Sequence, residues 1–527
     1  MKRLLFSLAT AAALWTAACG SGNSVVNPPP PTGKYSLASL SGTYAFVTNG
    51  EVITSATVAT PFARVGSFMA DGKGGITGGV EDVNEPTVGV TPAISITGGS
   101  YAVNADGRGT LTLNLGATSA IDFGIVLTST SDGLMIDETS NSNQASTGSG
   151  NFIRQAAAPF AVSDVAGPYV FDFAGFDVNN NPESFVGEFT ASSGVITTGF
   201  FDDNDNFTPS SGAMAPGTIA QDSLNPSTLS NFGRGVATIA GQDFVFYIVD
   251  SNRVRFLSTT RGMLAGDAVA QSNNIPTAVS NINSSFAFIV AGSSAKGGVT
   301  RVGRFSANGS SVSGVLLDTN DSGSFHQTNA NNISAATISL DPVNPGRGTV
   351  TFTDSTLSVP FTFVFYLSSA TSGVIQGISQ SSGVATDVAD GSLAAQTGGP
   401  FSASNITGTY AFNWSGLSVQ GSSFKVQDEE DVVGQATVSN LSLTGAADSF
   451  QFQNLVSIPD AVASGSIMPG GNGTGSDGQR NTMSVRLTKS SSITVNFVVY
   501  FVNPQLAFFA NNQDQNRIVA GVLKAQQ

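Results

Sequence analysis

The chain has 527 residues, with 21 Lys+Arg against 36 Asp+Glu, a net charge of −15, 60 Gly, one His and one Cys. That length allows several domains of about 100–200 residues each, and a composition rich in Gly and poor in charge suits turn-dense β structure. The acidic balance argues against nucleic-acid binding, because such a surface repels phosphate backbones, and a single cysteine excludes an internal disulfide.

The first segment reads Lys2-Arg3, an apolar run from Leu4 to Trp15, then Thr16-Ala17-Ala18-Cys19-Gly20. A charged start and an apolar stretch too short to span a bilayer mark an export leader. The segment resembles the lipobox of bacterial lipoproteins, departing from it at Thr16, where Leu is usual. The resemblance implies that residues 1–18 are a signal peptide and that Cys19 is lipidated. The protein would then be held at a membrane without crossing it. Gly20 in place of Asp implies an outer-membrane or cell-surface destination. An ordinary secretory leader with a chance Cys is the alternative. Residues 19–36 follow as a Pro-rich tether, stiffened by Pro28–Pro31.

Four repeats then open with an aromatic strand: Gly42–Phe46, Gly167–Phe171, Ser284–Phe288 and Gly408–Phe412. Their starts lie 125, 117 and 124 residues apart. That spacing is too long for solenoid units of ~20–50 residues, so each copy is expected to be a domain. The domains are placed at residues 37–155, 162–271, 279–396 and 401–527. Within repeats one to three, Gly66–Asn84, Gly187–Asn204 and Gly303–Asn320 share a Gly-x-Phe strand, a small-residue turn, a second strand and Asp-x-Asn. Repeat four shows no clear copy of this hairpin, and its run Asp428–Asp431 reads as a solvated loop.

Repeat one reads as a meander: Tyr44–Val47, Val65–Ala70, Gly75–Val83, Gly99–Asn104, Gly109–Asn114, Asp122–Leu127, Leu134–Thr139 and Gly150–Arg154. Asp71-Gly72 and Asp106-Gly107 supply the positive φ of tight hairpins. About eight hairpin-linked strands predict an all-β fold of four tandem antiparallel domains, each an up-and-down barrel. Immunoglobulin-like sandwiches are the alternative. The opening Gly-x-Tyr strand resembles the start of lipocalin- and avidin-type barrels. The repeat as a whole is similar to uncharacterised multi-repeat exported bacterial lipoproteins, which implies no activity.

Two recurrences carry possible chemistry. Asp82/Asn84, Asp202/Asn204 and Asp318/Asn320 offer alternate oxygen ligands, which is how calcium loops begin. However, Asn329 stands where such a loop wants a bidentate Glu. The alternative is side-chain capping of a strand-ending turn. Arg108, Arg234 and Arg347 each sit in Gly-Arg-Gly before a strand. They read either as turn residues paired with a nearby carboxylate or as anion-binding groups. His326, the one histidine, lies in a polar stretch read as a loop and makes no triad or two-His zinc site.

These readings predict no cofactor other than calcium and no catalysis. The expected role is binding or display of a protein or glycan ligand, since repetition raises avidity more readily than turnover. A spacer or adhesion protein and a carboxylate-dependent hydrolase are the alternatives.

Overall fold

A computed structural model describes residues 33–527 except 56–57, 86–87, 117–118, 141–144, 261, 330, 419–428, 452–455 and 471–479. The leader, Cys19 and most of the tether lie outside the described residues.

Each repeat is a closed antiparallel barrel. Barrel 1 consists of β1 (Ser41–Ser55), β2 (Val58–Asp71), β3 (Gly75–Glu85), β4 (Gly89–Val103), β5 (Arg108–Leu115), β6 (Ser119–Leu127), β7 (Asp132–Asp137) and β8 (Ser146–Arg154). Consecutive strands pair, and β1 pairs with β8 through Phe46 opposite Phe152 to close the ring. The expected up-and-down order of eight strands is therefore the observed one, and the sandwich alternative falls away. Barrels 2 (Gly167–Ala270) and 3 (Asn283–Ala395) repeat it with insertions, among them a short helix, Pro226–Phe232, in barrel 2 and a small hairpin, Gln380–Ser381 with Val384–Ala385, in barrel 3. An extra strand, Thr208–Ala213 or Ser324–Thr328, pairs with the third strand outside the ring. Barrel 4 (Gly408–Ala525) again has eight strands.

The opening motif has a packing cause. Phe68, Phe189 and Phe305 stack on the first-strand aromatics Tyr44, Tyr169 and Phe286, with ring centroids 5.6, 5.5 and 5.4 Å apart. The glycine two residues earlier lies under the next first-strand ring. A Cβ at Gly66 would meet Phe46 at 2.6 Å, and one at Gly187 would meet Phe171 at 2.6 Å. Gly434 stands under Phe412 in the same way, with its Cβ position 2.6 Å from the ring. Repeat four thus keeps the hairpin, as strands Glu429–Ser439 and Ser442–Gln451, with Ala436 in the place of the Phe. The sequence reading missed it because only the glycine and the shape remain.

Inward-facing side chains of the four barrels form four separate apolar cores, with Phe the commonest residue in those of barrels 2 and 3. An eight-stranded barrel is narrow enough for side chains to fill. At the end where the chain enters, each barrel is plugged by a buried aliphatic residue: Leu40, Val165, Ile282 or Ile406. In the first three barrels it follows a single 3-10 turn, Leu37–Ser39, Val162–Asp164 or Val279–Asn281.

Outward-facing residues join the barrels. The first two strands of one barrel pack on the last three of the next, at seams 1–2, 2–3 and 3–4, and again between barrels 4 and 1. This is a head-to-tail interface repeated four times within one chain, and it closes as a ring.

Candidate functional site

The seams hold the recurrent polar residues. Asp82, on the outer face of β3, accepts two hydrogen bonds from Arg234 of barrel 2, both at 2.7 Å. It accepts a third from the Tyr247 hydroxyl at 2.5 Å. Asp202 of barrel 2 receives Arg347 of barrel 3 twice at 2.8 Å, and Tyr366 at 2.5 Å. Asp318 of barrel 3 receives Arg480 of barrel 4 at 2.9 Å and Tyr500 at 2.6 Å. Arginine and tyrosine come together because they are cross-strand neighbours: Arg234 pairs with Tyr247 and Arg347 with Tyr366. Each arginine is a fork whose two parallel donors match a carboxylate.

A second carboxylate comes from the arginine's own barrel, in the turn between the fourth and fifth strands. Arg108 pairs with Asp106, Arg234 with Asp222 and Arg347 with Asp341. The guanidinium of Arg234 is held more firmly protonated by Asp82 and Asp222, against the opposing effect of its burial.

The asparagines complete the clamp. Asn84 donates to the carbonyls of Ser258 and Gly262 at 2.8 and 2.7 Å. Asn204 donates to Asp387 at 2.8 Å, and Asn320 to Arg517 at 2.7 Å. All six Asp and Asn residues lie inside strands rather than in strand-ending turns. This revises the calcium reading of Asp82, Asn84, Asp202, Asn204, Asp318 and Asn320, while turn capping is seen at Asn320, whose Oδ1 accepts the Gly323 N–H at 2.9 Å. A calcium ion here would have to displace a guanidinium, and a guanidinium 3 Å away repels a divalent cation. Among the described residues no group of three or more His, Cys, Asp or Glu side chains is placed to hold a metal ion. Likewise, Arg108, Arg234 and Arg347 point into seams, where carboxylates already take up the donors an anion would need.

Seam 4–1 uses the same positions with different residues. Asp448 occupies the place of Asp82: each accepts the N–H of a fourth-strand residue with positive φ, Asp460 for Asp448 and Ala93 for Asp82. Arg108 bonds Asp460 at 2.6 Å. Val126 stands opposite Arg108 where the other barrels have tyrosine.

A further contact was not anticipated from sequence. Each barrel's last strand is followed by a glutamine that reaches into the next barrel. Gln155 donates to Phe232 and Ile248, Gln271 to Pro345 and Leu367, and Gln396 to Phe501. Gln526 donates to Asp106 and Leu127 of barrel 1, both at 2.8 Å. The signal was present as a glutamine at the end of every repeat, but a lone polar residue after a strand has many explanations.

The seams alternate in character. At 1–2, Val47 and Ala265 join one apolar cluster, and at 3–4 Ile289 and Ala520 do the same. The matching places at 2–3 hold Asp172 and Asp390, which hydrogen-bond to each other. At 4–1 they hold Asn413 and Ser149, 3.0 Å apart. Burial raises both Asp172 and Asp390, and the Asp390 charge pushes Asp172 further. The acidic run is buried too, Glu430 inside barrel 4 and Asp431 at seam 4–1. Glu430 accepts from Trp414 at 3.1 Å and Arg517 at 3.0 Å, and Asp431 accepts from Thr147 at 2.5 Å. Both are fully buried on a strand, which overturns the solvated-loop reading at those two residues. Burial pushes Asp431 up to about 7 against the hydrogen bonds it accepts. Burial and the facing Asp431 charge push Glu51 up to about 8.

His326 lies on the extra strand of barrel 3 rather than in a loop, with Nε2 2.9 Å from Asp354. Asp354 stays below the usual carboxylate range: its burial is outweighed by hydrogen bonds from Thr328, Thr356 and His326.

No protein-family model matches the chain, and no curated protein is similar to it in sequence. Among solved structures, intact Ap-TbpB (N and C lobes) is 11% identical over 96% of this chain and 99% of its own, with a TM-score of 0.20. Isotype 1 transferrin binding protein B from serogroup B Neisseria meningitidis is 10% identical, covering 75% and 84%, with a TM-score of 0.18. A putative AttH from Nitrosomonas europaea is 8% identical, covering 68% and 92%, also at 0.18. Scores this low carry no argument about this chain, whose barrel fold stands on its own strand pairing.

Proposed function

We propose that this is a lipid-anchored cell-envelope protein that presents a rigid four-barrel ring to a protein or glycan ligand, without catalysis. The observation that carries the reading is where the polar residues go. Recurrent Asp, Asn, Arg and Gln side chains are used to lock barrel to barrel, and Phe-rich cores fill the barrels. The outer walls and end loops remain for recognition. The hydrogen-bonded carboxyl pair Asp172 and Asp390 lies under seam 2–3, out of reach of a substrate. The rigid ring also suits a spacer or adhesion role, in which the tether and not a ligand site matters.

The anchor is tested by Cys19→Ser, which should move the protein from the membrane fraction, in an outer-membrane cell the outer one, to the soluble envelope fraction. Binding is tested by melting residues 20–527 with envelope polysaccharides and proteins. A ligand at a hundred times its Kd adds about 2.7 kcal/mol, a midpoint shift of about 2–3 °C for a chain of this size. A flat panel, with the anchor intact, would favour the spacer.

A further inference from the structure

The two most exposed large apolar side chains among the described residues are Leu224, 87% exposed, and Val343, 79% exposed. They occupy matching positions, in the turn between the fourth and fifth strands of barrels 2 and 3. Both turns are tied by the same set of hydrogen bonds. Asp222 accepts from the Leu224 N–H at 2.9 Å and from Asn225 Nδ2 at 3.1 Å, and pairs with Arg234. Asp341 accepts from the Val343 N–H at 2.8 Å and from Asn344 Nδ2 at 3.0 Å, and pairs with Arg347. An isolated exposed apolar residue on a mobile loop needs no explanation. Two held outward by the same charged framework do.

The turn at the same position in barrel 1 shows what lies on that side. There the incoming chain crosses it, with the Tyr35 N–H donating to Ala105 at 3.1 Å and the Tyr35 hydroxyl to Thr128. The tether therefore reaches the ring at the end that carries Leu224 and Val343. Barrels 1 and 2 stand side by side in the same direction: Gln155, after the last strand of barrel 1, bonds Phe232 beside the barrel 2 turn, while Asn84 near the far end bonds Ser258 and Gly262. The 13 residues between Cys19 and Gly33 reach at most roughly 45 Å, so an anchored ring stays close to the lipid.

We infer that the plugged end of the ring rests on a lipid bilayer, with Leu224 and Val343 entering its interface. The inference rests on the membrane-anchor reading of Cys19. With a net charge of −15, apolar insertion and not attraction to anionic headgroups provides the contact, so a zwitterionic surface suffices. Each side chain adds modest affinity. Together they fix which face of the ring looks away from the membrane.

Cys19 is the only cysteine, so recombinant Cys19–Gln527 can be coupled through its thiol to maleimide lipid in phosphatidylcholine vesicles. This supplies the tether whether or not a cell acylates it, and so separates this inference from the anchor reading. Leu224→Trp, Val343→Trp and Val88→Trp are compared on vesicles containing brominated phosphatidylcholine. Val88 is 73% exposed and lies at the opposite end, between β3 and β4. Trp414 is fully buried and gives a constant background, removed with the parent protein. The expected result is loss of at least half the added fluorescence in Leu224→Trp and Val343→Trp, with Val88→Trp unchanged. No quenching in the first two, or equal quenching in all three, overturns the inference.

Discussion

Gln526 donates to the carbonyl of Leu127 at 2.8 Å, making on barrel 1 the contact that Gln155 makes on the carbonyl of Ile248 in barrel 2. The neighbouring backbone bond repeats as well: Gln527 N–H to Thr128, and Ala156 N–H to Val249. Residues 399 positions apart thus reproduce a contact made elsewhere between adjacent domains. The ring is closed by the rule that builds it.

Gln526→Ala removes two hydrogen bonds to carbonyls that burial then leaves unpaired, a loss of about 1–3 kcal/mol at one seam. Amide exchange should rise in β6–β8 and in the first two strands of barrel 4, and stay unchanged at seams 1–2 and 3–4. Gln155→Ala should shift the effect to seam 1–2. Exchange that rises equally in all four barrels after either change would mean the seams are not independent locks.

Asp82→Ala leaves the Arg234 guanidinium buried against one carboxylate instead of two. Removing one partner from a buried pair is expected to destabilise by about 3–5 kcal/mol. The double variant Asp82→Ala/Arg234→Met should recover part of this in urea denaturation, and chelator should change neither midpoint. A chelator-sensitive midpoint that vanishes in Asp318→Ala would restore the calcium reading.

The raised carboxylates set a pH dependence. Glu51 at about 8, Asp431 at about 7 and Glu188 at about 7 keep protons in the fold that the unfolded chain has released, each mainly because it is buried. The unfolded state therefore binds fewer protons between the ordinary carboxylate range and pH 8, and stability falls as pH rises through that window. The groups facing Glu51 and Asp431 across seam 4–1 are Glu429 and Asp137. The melting midpoint should drop by on the order of 5 °C from pH 5.5 to 8.5. Glu51→Gln with Asp431→Asn should flatten the slope. A midpoint that rises over this range would contradict the assignment.

The fold was readable because barrel strands advertise themselves. Asp-Gly turns and alternating apolar residues place all eight strands of repeat one, although β1 and β4 run longer than expected, at 15 residues each, and β7 starts two residues earlier. The site was half readable. Asp82 and Arg234 belong to separate recurrences, and nothing within one repeat says that an aspartate is met by the arginine of the next copy. Tyr247, Tyr366 and Tyr500 sit in strands already accounted for by their inward Phe neighbours, which hid their outward duty. Repeat four concealed the pattern further. Arg480 lacks flanking glycines, Phe450 stands in the place of Asn84, and Glu430 and Asp431 put carboxyl groups into a buried strand, where Trp414, Arg517 and Thr147 donate to them.

Ring closure also sets an order of events in time. Val126, Leu134 and Ile136 on the outer wall of barrel 1 are covered by Ala411 and Val433 of barrel 4, which is made last. As the chain emerges, barrel 1 can fold early, but this apolar wall stays bare until some 370 further residues have been made and folded. During that interval it is open to a fourth barrel from any neighbouring chain.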